Sequence, residues 1–577
     1  MKKFIVLCLA GLLILALGAP GYAQAPKLEF KASGFLDTQT FWMEGVPQRN
    51  TTAGMYGVTN GNYASGTPAT INVKAPGWNR TDSHWEGRAH LKFDAVMGPN
   101  LSGTIYFEID ASRWGSVFNN QAVKEANNAG AWTTDRTAVE VKNIYIDVGL
   151  PYFGVPWPVT ARIGSQTLGI RPNVLMVSDG TGISGGIKID PVLIAPFYAK
   201  ALENLDFADD DVDVYGLSAS AKISTFTVGA YGLAFRMNTY PFWVVNTGSV
   251  IFPGTSSQQF GQSPGTFKSH MYWLGAYLDG KAGPVDMNLD FVADYGSVDE
   301  RTLRDLGEGR PGGGPFVPTI PNVKYEGWMV RGKLDFPWEK FNFGVVGMYA
   351  TGSDARRTST SGLPGTTTAA GPGFQLVNPI SGIGQHNITR RVTGYVVPPG
   401  SEQDTANNES IVVYGMENGA SGGVGIAKNS NYAQLCRSGF GGTWFAKLYG
   451  SMKLLPWYKV TVQGLYIGDT TKNGDTLGNS VKYLQAIPTR YTSLGIPQST
   501  TFLRDNTDIG WEFDLINEIQ IYNNLRFYVG YGYLFAGDAL DVRMGHNASF
   551  PSLAGSVPGN RKADNPWAVR TRLMYTF

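Results

Sequence analysis

Side chains able to do chemistry are few and scattered in this sequence. The five histidines are His84, His90, His270, His386 and His546. None stands in an HExxH arrangement, and no GxSxG or phosphate-loop pattern occurs. His84 and His90 fall on one face of a strand-like run, separated by two intervening same-face residues, too far apart to chelate one ion together. They read as polar wall residues. The run "DFADDDVDV" gathers Asp209, Asp210, Asp211 and Asp213, and clustered carboxylates suit a hard cation such as Ca²⁺. It lacks the spaced ligands and the glycine of an EF-hand, so it reads as a solvated acidic loop. "GEGRPGGGP" (307–315) follows no strand that opens a helix and reads as an outer loop. A hydrolase would need Ser, His and a carboxylate brought together across strands, and no motif encodes that. The sequence therefore predicts a non-enzyme with no cofactor and no bound metal.

Composition narrows the class. Lys and Arg total 47 and Asp and Glu 46, so nothing marks a nucleic-acid partner. The two cysteines, Cys8 and Cys436, form no CxxC motif. The 73 glycines, with aromatics at 12% and charged residues at only 16%, favour β-structure rich in turns. Lys2 and Lys3, the apolar run Phe4–Leu17, and Gly21 and Ala23 predict a secretory signal peptide over 1–23, with residues 24–577 as the exported domain.

The dominant signal along 24–577 is period two, because strand side chains alternate between faces. In residues 83–97, Trp85, Gly87, Ala89, Leu91, Phe93, Ala95 and Met97 oppose His84, Glu86, Arg88, His90, Lys92 and Asp94. In "GPVDMNLDFVADYG", Val285, Met287, Leu289, Phe291, Ala293 and Tyr295 oppose Asp286, Asn288, Asp290 and Asp294. These runs match the ~9–11 residues with which a tilted strand crosses a bilayer. Tight connections such as "MGPN" and "LLPWYK" alternate with long ones, the longest 353–440. Trp157, Trp338 and Trp457 sit at tight turns; Trp42, Trp114 and Trp243 sit where strands enter long loops, as interfacial belts do. The sequence predicts an all-β transmembrane antiparallel barrel of eighteen strands, or sixteen if a hairpin is lost from the blurred stretch Gly182–Ile223. A phase shift after Val141 predicts a bulge near Asn143.

The polar faces then become the inner wall. They place Glu86, Arg88, Lys92, Glu108, Asp110, Arg162, Asp286, Asp290, Asp294, Arg331, Lys333, Arg526, Arg570 and Arg572 toward the lumen, with Lys142, Lys200, Lys447, Glu512, Asp514 and Glu518. Charges in such numbers require water or partners. Closure of the barrel sets Arg570 and Arg572 near Lys31, opposite Asp286, Asp290 and Asp294, which would give a transverse field. Inward Tyr106, Tyr198, Tyr272 and Tyr449 could stack on sugars. Segments 111–136 and 169–181 are candidates to fold inward and set the size limit.

The pattern resembles the outer-membrane porin superfamily of bacteria. The likeness rests on "GYA" closing the signal, on the inward-polar strands, and on the closing "RLMYTF". It implies that Tyr575 and Phe577 act as the signal read by the barrel-assembly machinery, with periplasmic chaperones as further partners. It also implies outer-membrane lipid and lipopolysaccharide around the wall, and it leaves a homotrimer open. "VTARIGSQTLGI" (159–170) looks like a strand of the eighteen-stranded substrate-specific and alginate-export-like channels, with Arg162 and Gln166 inward. The leading expectation is passive diffusion of small hydrophilic solutes or ions. Two alternatives stand beside it: a specific oligosaccharide or anionic-polymer channel, and a sheath for an extracellular electron conduit.

Overall fold

A computed structural model describes residues 27–45, 81–111, 114, 139–150, 157–172, 174–203, 209–240, 267–300, 323–352, 391–401, 409–415, 439–471, 506–540, 542–543, 560–561 and 564–577. The expected signal peptide, Trp243, Cys436 and the 307–315 stretch lie outside these residues.

The alternating runs form one closed antiparallel sheet of eighteen wall strands. The first six are β1 (Leu28–Glu44), β2 (Thr81–Met97), β3 (Leu101–Ala111), β4 (Glu140–Leu150), β5 (Val159–Ile170) and β6 (Met176–Ile189). Then follow β7 (Val192–Leu202), β8 (Val212–Ile223), β9 (Phe226–Tyr240), β10 (Phe267–Ala282), β11 (Val285–Glu300) and β12 (Trp328–Trp338). The last six are β13 (Phe341–Ala350), β14 (Thr443–Leu455), β15 (Tyr458–Asp469), β16 (Asp508–Tyr522), β17 (Leu525–Ala536) and β18 (Trp567–Thr576). Each strand pairs with its sequence neighbour, and β18 closes on β1 from Phe35↔Thr576 to Glu44↔Trp567. No sheet edge is left along the wall, which is what a bilayer demands of a β-structure. Among the described residues no helix is long and apolar enough to cross a membrane.

The outward face is the apolar one. Leu448, Trp85, Phe93, Ile144, Ile146, Leu274, Val462 and Phe513 all expose large side chains there. Aromatic rings gather at both strand ends. Tyr198 and Tyr215 pair at 5.3 Å, Trp328 and Tyr349 at 5.3 Å, and Tyr466 and Trp511 at 4.9 Å at the long-loop end. Trp338 with Phe341 and Trp457 with Tyr458 mark the tight-turn end. Two girdles around an apolar band define a membrane-spanning barrel.

Local departures have local causes. The ladder between β3 and β4 shifts between Tyr106 and Phe107, leaving Lys142 as the extra residue. This is the bulge expected near Asn143, and it turns Lys142 onto Glu108 at 2.6 Å and Asp179 at 2.9 Å. Tyr198, Lys200 and Tyr272, expected inward, instead take the outward register. Tyr198 pairs with outward Tyr215, Lys200 with Asp213, and Tyr272 with outward Tyr295. The acidic run is only partly solvated: Asp209 is exposed, but Asp210 and Asp211 are buried, and Lys200 bridges Asp211 at 2.7 Å and Asp213 at 3.2 Å. Arg570 and Arg572 do not neighbour Lys31, because β18 pairs with β1 only from Phe35 onward.

Leu448 lies mid-strand on the lipid face of β14. Leu448→Arg is expected to destabilise the barrel by about 2–4 kcal/mol, the cost of a cation near the bilayer midplane. Reversible folding into lipid vesicles measures this, and an unchanged stability would place Leu448 away from lipid.

Candidate functional site: a charged lumen filled from one end

All fourteen residues expected along the lumen fall on the inward register, although the side chain of Asp110 is not among those described. Their surroundings differ sharply along the barrel axis. On β11, Asp286 near the tight turn is 41% exposed, whereas Asp290 and Asp294 are sealed. On β16, Glu518 is 48% exposed, whereas Asp514 and Glu512 are sealed. On β2, Lys92 is partly open while His90 and Glu86 are buried; on β18, Arg572 is partly open while Arg570 is buried. Four sectors of wall show the same gradient. The tight-turn half is therefore a wet vestibule, and the long-loop half is filled.

The vestibule is lined by short ion pairs. Lys92 meets Asp94 at 3.2 Å, Lys281 meets Asp286 at 3.1 Å, and Lys333 meets Asp335 at 2.8 Å. Arg162 grips Asp147 through two hydrogen bonds, 2.7 and 3.0 Å, and lies 4.0 Å from the centre of the Tyr145 ring. A cavity of about 450 Å³ opens beside that pair, among Ser102, Thr160 and Ser184. Arg526 is exposed at the same end. Deeper in, Arg572 holds Asp37 at 2.9 Å, Arg570 donates to Gln39 Oε1 at 2.9 and 2.5 Å, and Arg88 holds Glu108 at 3.2 Å. The expected transverse field is therefore only partly cancelled: Arg572 is paired with Asp37 and Asp290 with Arg171 at 2.6 Å, whereas Arg570 meets the neutral Gln39.

Two pieces of chain fill the loop half. The first is the end of the β5–β6 hairpin, which overlaps the expected 169–181. Its Leu168, Ile170, Val174, Leu175 and Met176 are buried against the inner faces of β8–β11, where Val214, Tyr231, Leu233, Phe235, Met271 and Trp273 are buried too. The second is residues 391–401 and 409–415, which lie between β13 and β14 in the chain. Of the other expected segment, 111–136, Trp114 is described. It packs on the outer wall at Gly87, and its N–H donates to Trp85 O at 2.9 Å.

Backbone amides inside a barrel have no sheet partner and little water, so they need acceptors. The wall supplies carboxylates. Asp294 accepts from Gly327 N at 2.9 Å and Val396 N at 3.1 Å. Glu512 accepts from Val412 N at 2.5 Å and Val413 N at 3.0 Å, and Asp514 accepts from Ile411 N at 3.2 Å. Trp273 Nε1 donates back to Val396 O at 2.9 Å. Gly530 and Gly532 on β17 leave a notch for Ile411; a Cβ on Gly532 would lie 2.7 Å from the Ile411 Cβ. Glu409 completes the seat, accepting from Lys447 and from Arg331 at 2.5 Å. Burial alone would raise the Glu409 carboxyl, but Lys447 and Arg331 override it and hold it down at about 2.

Asp294, Glu512 and Asp514 were visible in the sequence as inward charges, but their role as amide acceptors was not, and Glu409, in the long 353–440 connection, was not singled out at all. The available signal was the pair of glycines in "YVGYGY", two residues apart on an inward face. Among the described residues, no group of three or more His, Cys, Asp or Glu side chains is placed to hold a metal ion. His84 instead meets Glu86 at 3.1 Å, and His90 meets the Tyr106 hydroxyl at 2.6 Å.

No protein-family model and no curated protein matches the sequence. Among solved structures, the chain is similar to Pseudomonas aeruginosa OccK11 (OpdR), at 8% identity and a TM-score of 0.42 over 96% of this chain and 99% of that one. Acinetobacter baumannii OccAB3 matches at 9% identity and 0.43, over 95% and 99%. Pseudomonas aeruginosa OccK8 (OprE) matches at 10% and 0.43, over 95% and 98%. No role is carried over from them to this chain.

Glu409→Gln leaves Lys447 buried without its carboxylate, a change that typically costs about 3–5 kcal/mol. The loss should fall on the seating of 409–415 and leave the strand ladder in place. Hydrogen exchange at the Val412 and Val413 amides should accelerate at least a hundredfold, while β14 and β15 amides hold. The acid dependence has a defined sign. Glu409 titrates lower when seated than its ordinary 4.5, so its contribution is complete above that value and is lost as pH falls toward 2. Exchange at these two amides should show no Glu409-dependent change between pH 5 and 8.

Proposed function

We propose that this chain is a channel of a bacterial outer membrane that passes small hydrophilic solutes or ions through a restricted lumen. The exposure gradient of the inner wall is the observation that carries the reading. A barrel of this strand number is wide enough to hold water, and charged side chains line the vestibule at contact distance from one another. Mobile solutes crossing it meet paired charges of both signs rather than a single-sign field. The tight-turn end is assigned to the periplasm, following the usual asymmetry of turns and loops in such barrels. On this reading lipid surrounds the aromatic girdles, and Tyr575 and Phe577 serve as the assembly signal at the periplasmic rim. Their rings lie 5.7 Å apart there, and Phe577 exchanges backbone hydrogen bonds with Gly34 at 2.9 and 3.1 Å.

The filled half favours restricted passage over a wide diffusion pore. It also weighs against a sheath for an electron-carrying partner, which would need the lumen clear of the barrel's own chain. Inward Tyr106 and Tyr449 remain on the wall, but each already bonds a neighbour: Tyr106 bonds His90, and Tyr449 bonds Asp335.

Planar-bilayer recording tests the proposal. The purified barrel should give small, discrete conductance steps in simple salt. Removing residues 391–415 should raise the step at least threefold without loss of the barrel. A full chain that never conducts, together with an equally silent deletion, would overturn it.

A further inference from the structure

The β5–β6 hairpin leaves the wall at a defined level. The β4–β5 ladder stops at Ile144↔Ser165, and the β6–β7 ladder begins at Thr181↔Lys200. Beyond those pairs, Gln166↔Gly180 through Ile170↔Met176 form a two-stranded ladder with no third strand, tied to β4 only by side chains near its base, Asp179 to Lys142 at 2.9 Å and to Asn143 at 3.1 Å, and Thr167 to Asn143 at 3.3 Å. At the departure point two glycines face one another, Gly164↔Gly182. Gly164 has φ +132°, a conformation side chains resist, and a Cβ on either would strike a neighbouring carbonyl, Ile144 O or Tyr198 O. Just above them Gln166 braces the bend. Its Nε2 donates to Arg162 O and Gly182 O, both at 3.2 Å, and its Oε1 accepts from Ser184 at 2.6 Å.

The far end is fastened across the lumen. Arg171 at the hairpin tip donates to Asp279 at 2.7 and 3.2 Å and to Asp290 at 2.6 Å, and its guanidinium lies 4.1 Å from the centre of the Tyr277 ring. Arg171 has φ +45°, strained for a residue with a Cβ, so the tip is held in place by what it grips. The tip also supports the second filling segment. Tyr395 Oη donates to Val174 O and Ser401 Oγ to Leu175 O, both at 3.0 Å. That segment has its own seat on Asp294, so it does not depend on the tip.

We propose that residues 166–180 form a hinged shutter that turns about the opposed Gly164 and Gly182 and is latched closed by Arg171 in the Asp279–Asp290–Tyr277 seat. Released, the hairpin can stand up in line with β5 and β6 and clear the lumen beneath it. That this clears a path for solute rests on the channel reading above; the movement itself does not.

The test uses the full chain with Cys8 and Cys436 replaced by serine and Val174→Cys as reporter. Val174 is buried at the tip with the latch closed. Its labelling by a membrane-impermeant maleimide should accelerate at least tenfold on adding Arg171→Ala. Arg171→Lys, which keeps charge but loses the fork, should fall between. Hydrogen exchange at Val412 and Val413 should not change, which separates a moving shutter from general loosening. If Arg171→Ala fails to fold, the isosteric pair Asp279→Asn with Asp290→Asn takes its place with the same tenfold expectation. Rates within twofold of the parent, in whichever latch variant folds, overturn the shutter. Conductance is recorded on the same preparations. Faster labelling in a barrel that never conducts keeps the shutter and removes the channel reading. Conductance with unchanged labelling does the reverse.

Discussion

Everything inside this barrel follows from one requirement: a peptide N–H taken away from water and from a sheet must find an acceptor. The inner wall meets it with carboxylates. Asp294, Glu512 and Asp514 point inward, as alternation dictates, and each takes a backbone amide of chain that has entered the lumen. A carboxylate sealed from water is itself costly unless it accepts several hydrogen bonds or faces a cation. The wall and the filling segments thus solve each other's problem. Glu409, held between Arg331 and Lys447, makes the same bargain with the roles exchanged: the charge comes from the segment and the cations from the wall.

This separates the barrel into two halves with different chemistry. Near the tight turns, the pairs Lys92–Asp94, Lys281–Asp286 and Lys459–Glu518 stand in water and contribute little to stability. Their consequence is local polarity along a solute's path. In the loop half, the wall of β8–β10 is largely apolar toward the lumen, and Leu168, Val174, Leu175 and Tyr395 pack into it as a second core inside the first. Fixing a barrel's interior this way sets its width by the chain that enters, not by the number of strands.

The strands were legible because lipid outside and charge inside write a strong period-two signal. The barrel count of eighteen follows from it. The signal blurs between Gly182 and Ile223, and the structure supplies the reason. There the inner face packs on the hairpin tip, so Phe197, Ala199, Val212 and Val214 are apolar on the side where a lumen should be polar. With both faces apolar, the alternation places Tyr198 and Lys200 on the wrong side. The site was half legible. Inward charges could be named one by one, but a strand pattern does not say whether Glu512 meets water or a backbone amide. That depends on segments separated from it by about a hundred residues, Ile411 to Val413.

The lumen is open from the tight turns to mid-depth and sealed beyond. Single cysteines at positions 518, 514 and 512 of β16, in a chain otherwise free of cysteine, read this directly with an impermeant thiol reagent applied from the tight-turn side. Labelling at 518 should be rapid, with rates at least a hundredfold lower at 514 and 512. Comparable rates at all three positions would contradict it.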